Sequence, residues 1–126
     1  MIGHLKGRII SKNPPEIIIE VEGIGYEVLC PMSTFYELDS LPEDILLFTH
    51  LSIKEDAHTL FGFINKDEKN VFRELIRVNG VGPKVALAIL SNLSVHSLVE
   101  CISTEDADLL AKTPGIGKKT ALKLIV

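Results

Sequence analysis

The feature that most constrains this chain is a gapless internal repeat. Shifted by 35 residues, Leu75–Leu90 lies on Leu110–Ile125. Leu75 meets Leu110, Arg77 meets Lys112, Gly80 meets Gly115 and Gly82 meets Gly117. Lys84 then meets Lys119, Ala86 meets Ala121, and Leu87 meets Leu122. Val81 against Ile116 and Ile89 against Leu124 are conservative exchanges. Each copy reads as helix, Gly-x-Gly loop, helix. A two-helix hairpin this tight needs residues that tolerate positive φ and do not block close approach. The first N–H groups of the second helix then point outward with the positive end of its dipole, which makes a phosphate seat. Lys84 and the pair Lys118 and Lys119 add charge beside it, and Pro83 suits a first helical turn.

The competing reading is two ordinary helix ends with glycine caps. A single copy would not decide between them; two matched copies with lysines favour phosphate. A third Gly-x-Gly, Gly23-Ile24-Gly25, serves as an internal contrast. It sits between strand-like runs, with Glu22 and Glu27 nearby and no following lysine, and reads as a turn. Neither hairpin has the GxxxxGK[ST] spacing of a P-loop. Helices rather than strands precede both, which excludes a dinucleotide-binding fingerprint.

Upstream of the repeat the period is that of strands. Glu16–Glu22 alternates Ile17, Ile19 and Val21 with mostly glutamates. Together with runs at Leu5–Ser11, Tyr26–Cys30, Ile45–Lys54 and His58–Phe63, that gives five short strands, interrupted by a helical or irregular piece at Ser33–Leu38. Five short strands in so little chain suggest a small closed barrel, although periodicity alone does not say which kind. From Asn65 the period becomes helical. A helix starting at Asp67 places Val71, Phe72, Leu75, Ile76 and Val78 at helical spacing. Further helices are expected over Lys84–Asn92, Val95–Ile102, Glu105–Lys112 and Lys118–Val126. The expected class is α+β, with a barrel domain over residues 1–63 and an all-α domain over residues 64–126.

A net charge of −4 argues against nucleic acid only on average. Residues 1–66 hold five cations against ten acids, whereas residues 109–126 hold Lys112, Lys118, Lys119 and Lys123 and no acid. A local basic end can attract phosphate whatever the total. Cys30 and Cys101 read as small buried thiols, and the four histidines lack ligand spacing, so neither metal nor cofactor is expected. No apolar run reaches the roughly 18–20 residues that span a bilayer. The N-terminus is too charged for a secretory signal. A cytoplasmic protein with no membrane partner is expected.

Several segments together resemble the RuvA family of bacterial Holliday-junction branch-migration subunits. They are Met1-Ile2-Gly3, Gly25-Tyr26-Glu27-Val28, Phe35-Tyr36-Glu37-Leu38, Glu55-Asp56-Ala57, Leu60-Phe61-Gly62-Phe63, Asn79–Leu90 and Pro114–Ala121. The resemblance runs along essentially the whole chain. It implies an N-terminal OB-fold barrel, a domain of two helix–hairpin–helix units, and a homotetramer, single or paired, that holds a four-way junction open. It implies backbone contacts to DNA from Gly80, Val81, Gly82 and Lys84, and from Gly115, Ile116, Gly117, Lys118 and Lys119, with Lys123 one turn later. Glu55 and Asp56 correspond to the family's acidic pin. Carboxylates on an exposed turn are ordinarily just solvated. Four copies meeting at an axis would instead repel crowded phosphates into the hairpins around them. With no third carboxylate or histidine cluster, the pair does not suggest a metal site.

The implied work is non-catalytic and independent of base sequence, within recombination, repair of DNA damage and the SOS response. RuvB supplies the ATP-driven motor and RuvC the resolvase. The family continues into a small motor-docking domain, whereas this sequence ends at Val126 inside an apolar periodic segment, so the RuvB contact is expected to be lost. Two other classes remain to be separated. A nuclease or glycosylase would need an acid cluster or a base-flipping pocket, and neither is visible. A purely structural module would show no salt-dependent binding of DNA.

Overall fold

The structure, a computed structural model, describes residues 1–40 and 43–104. The helices expected over Glu105–Lys112 and Lys118–Val126, and with them the second hairpin, lie outside the described residues. The chain divides into two compact units, Met1–Lys69 and Asn70–Val126.

The first unit is built from β1 (His4–Asn13), β2 (Glu16–Val21), β3 (Ile24–Leu29), a short α1 (Met32–Glu37), β4 (Asp44–Ile53) and β5 (His58–Phe63). The strands close in the order β1-β2-β3-β5-β4, every neighbour antiparallel except β3 with β5. That order, with β1 shared between β2 and β4, makes it an OB-fold barrel. Alternation fills the interior: Leu5, Ile17, Ile19, Val28, Ile45, Leu47 and Leu60 are buried. Cys30 joins them as a free thiol, and burial pushes it up to about 12. It is therefore an inert filler rather than a nucleophile.

Two glycines have specific work. Gly7 lies where β1 passes from β2 to β4; a Cβ there would overlap the backbone carbonyl oxygen of Glu20. At the β2–β3 turn it is Glu22 and Gly23 that take positive φ, 50° and 87°. The turn is thus a two-residue hairpin of the primed kind, which matches strand twist. Ile24 and Gly25 belong to β3 instead of the turn, since Val21 pairs with Ile24 and Glu20 with Gly25.

The N-terminus of α2 (Lys66–Leu75) is fixed to this barrel unit. Asn65, not Asp67, starts the helix: its Oδ1 accepts the Glu68 N–H at 2.8 Å. Ser33 Oγ of α1 donates to the Glu68 carboxylate at 2.9 Å. The Lys69 ammonium donates to the Gly3 carbonyl at 3.1 Å, and that carbonyl also accepts the Thr49 N–H. Burial pushes the Glu68 carboxyl above its ordinary value; the Ser33 hydrogen bond opposes this, and the charge of Glu37 adds to it. A carboxyl whose folded pKa is raised contributes stability that is full below its unfolded pKa and lost as pH rises through the folded one. Glu68→Gln carries no such titration. Its urea midpoint should therefore gain on the parent's as pH rises from the ordinary carboxylate range toward neutrality. A constant gap across that range would show that Glu68 does not titrate between the folded and unfolded chains.

In the second unit the described elements are the rest of α2, α3 (Pro83–Asn92) and α4 (Val95–Ser103). Among the described residues, Phe72, Leu75, Val81, Ala86, Leu87, Ile89, Leu90 and Leu98 are its buried apolar residues. Ser94 caps α4 by accepting the Ser97 N–H at 3.1 Å.

Candidate nucleic-acid interface

The first glycine hairpin joins α2 to α3. Beyond Leu75 the chain unwinds through turns, with Val78 N–H bonded to Leu75 O at 3.1 Å and Val81 N–H to Val78 O at 3.0 Å. Gly80 takes φ 89°, a backbone that favours glycine. Gly82 does not share that need: it is extended, at φ −85° and ψ 175°. A Cβ on Gly82 would meet nothing within 4 Å, so no internal packing demands glycine there. What its missing side chain provides is open space in front of the helix.

Gly82 is the N-cap of α3 and offers no side chain to satisfy the first turn. Pro83 follows at the first helical position, where an N–H is not needed. Helical bonding begins with Ala86 N–H to Gly82 O at 3.0 Å. An α-helix leaves the N–H groups before that point without an intrahelical acceptor, here those of Lys84 and Val85. The first turn holds no acidic residue, and the Lys84 side chain is exposed. Donors, dipole and ammonium therefore point the same chemistry at one place, that of an anion seat.

Val81 does something different from its neighbours. Its side chain is only 4% exposed and its N–H is engaged by Val78, so it anchors the loop from beneath. Burial of one loop residue has no periodic signal in sequence. Arg77 is held by Glu74 at 3.3 Å in an exposed pair worth little. Gly115, Ile116, Gly117, Lys118, Lys119 and Lys123 lie outside the described residues.

Glu55 and Asp56 form the tip of the β4–β5 hairpin. Lys54 and Ala57 close it by exchanging both backbone hydrogen bonds, at 2.8 and 3.4 Å. Both acidic residues are exposed, and among the described residues neither carboxylate has an ion-pair partner. On the barrel, a cleft of about 500 Å³ sets Lys6 and Arg8 against Glu20, Glu22, Glu43 and Asp44. Its excess of carboxylates disfavours phosphate. Among the described residues no group of three or more His, Cys, Asp or Glu could hold a metal ion, and no helix is long and apolar enough to cross a membrane.

An OB barrel followed by a helix–hairpin–helix region defines a class of two-unit protein whose hairpin is shaped for an anion. Residues 1–62 match the RuvA N terminal domain family, and residues 72–126 match the SAM-like helix-hairpin-helix tandem. The whole chain is 55% identical to the Holliday junction branch migration complex subunit RuvA of Pasteurella multocida, covering 62% of that protein. It is 53% identical to the same-named subunit of Coxiella burnetii, covering 63%, and 55% identical to that of Actinobacillus succinogenes, covering 62%. The chain is thus similar to RuvA subunits along its whole length, and its N-terminal half to the RuvA N terminal domain family. It spans somewhat under two thirds of the length of these curated relatives.

Proposed function

We propose that this chain binds four-way DNA junctions by their shape and holds them open for branch migration driven by a RuvB motor. The observation that carries this reading is the uncapped, acid-free start of α3, with exposed Lys84 beside it and Gly82 leaving its approach clear. Gly80, Gly82 and Lys84 form one phosphate seat, with Val81 holding the loop in place. Gly115, Ile116, Gly117, Lys118 and Lys119 form a second, supported by Lys123, because the repeat copies the same residue types in the same order. Such contacts fix position without reading bases, as migration through arbitrary sequence requires.

The barrel, residues 1–63, gathers four copies into a tetramer, and residues 64–126 present the hairpins. Glu55 and Asp56 of each copy then form a negative centre that directs phosphates outward. The chain does no bond chemistry itself; ATP hydrolysis belongs to RuvB and junction cleavage to RuvC. It works in the cytoplasm, in recombination and repair.

Incubation with a labelled four-way junction and magnesium, followed by native mass measurement, tests this. Intact junction in complex with four or eight chains is the expected result. Cleaved strands would show an enzyme, and a chain that stays monomeric on the junction would remove the negative centre.

A further inference from the structure

The β4–β5 hairpin carries an apolar feature that phosphate contacts and a negative tip do not use. Ile45, Leu47, Thr49, Leu51 and Ile53 share the inner face of β4. The first three are at most 6% exposed and Leu51 packs partly against the core, yet Ile53 is 60% exposed. The strand therefore runs past the rim of the barrel and carries its inner face into solvent. Ile53 pairs with His58 across the hairpin, and His58 is exposed too. Because Lys54 and Ala57 form the hydrogen-bonded pair next to them, Ile53 and His58 occupy the pair type in which side chains approach most closely. An isoleucine and an imidazole thus make one small patch directly behind the Glu55–Asp56 turn.

We propose that the Ile53–His58 face contacts unpaired nucleobases at the centre of the junction. This rests on the junction-binding reading above and adds a second task for the same hairpin. Two carboxylates at the tip repel phosphates, so a strand passing it turns its backbone away and its bases toward the hairpin. A β-branched wedge beside a flat imidazole offers those bases an apolar and stacking surface. Such a surface engages the π-face that every base has, so it adds no preference for sequence. Open base pairs at the crossover are held open by this contact, while the hairpins of the helical unit hold the backbones.

The test uses the full chain, a junction with thymines at the crossover, and permanganate, which oxidises thymines whose pairs are open. The double variant Ile53→Ser, His58→Ser changes only exposed side chains and should keep the parent's urea midpoint. At saturation, crossover oxidation should fall about fivefold relative to the parent complex, in a complex that still forms. Undiminished oxidation in a complex that still forms would overturn the proposal and leave junction binding standing. A variant that falls to smaller assemblies would overturn it as well, placing Ile53 between copies. Failure of the parent chain to bind the junction would remove the underlying reading and this contact with it.

Discussion

Gly7→Ala is expected to lower the stability of the barrel unit by about 3 kcal/mol, the upper range for overfilling a packed site. Residue 7 lies on the strand that both β2 and β4 pair with, and the added methyl would overlap the Glu20 carbonyl oxygen. Backbone cannot rotate out of the way as a side chain can. Relief requires β1 and β2 to separate, at the cost of ladder hydrogen bonds that hold the closure. Small domains have only about 5–15 kcal/mol in hand, so a large fraction of the molecules should unfold well below the parent's urea midpoint. Gly3→Ala is the matched control, because a Cβ there meets nothing within 4 Å. Equal midpoints for the two variants would mean that β1 does not pass so close to β2.

Lys84→Glu should weaken junction binding about tenfold or more, since it removes a phosphate contact and places a carboxylate at the positive end of α3. The loss should be the same for junctions of unrelated sequence, and the salt dependence should become shallower. The same charge change at Lys12, an exposed barrel residue paired with Asp39 at 2.9 Å, should do much less. Filter binding at two salt concentrations separates the variants. Equal losses at both positions would reduce the hairpin to one more cation in a general field.

The barrel's strands were legible because each buries one face, as in Ile17, Ile19 and Val21 against their glutamates. Closure was expected from five short strands in so little chain; the pairing that makes it was not, because β3–β5 is parallel and joins residues some thirty positions apart, Val28 with Leu60. Gly7 gave no signal, since crowding by a neighbouring strand exists only once the strands are paired. The start of α2 shifted from Asp67 to Lys66 because Asn65 supplies the capping oxygen, a choice that hydrophobic period does not register. The first hairpin was read from its repeat, yet its glycines divide the work: Gly80 needs its φ, and Gly82 needs its emptiness. Val81 was read only as part of a backbone-contacting loop; that its side chain is buried beneath the loop had no signal in the sequence. Ile53 looked like any strand residue until the barrel rim was seen to end before it.

The central claim is that this chain grips junction backbones by charge and shape and ignores base sequence. Titrating it against two four-way junctions of unrelated arm sequence and a linear duplex, over a series of salt concentrations, tests that claim most directly. The account predicts matching affinities for the two junctions, weaker binding of the duplex, and a log affinity that falls linearly with log salt. Binding that ignores salt, or that prefers one arm sequence, would contradict it.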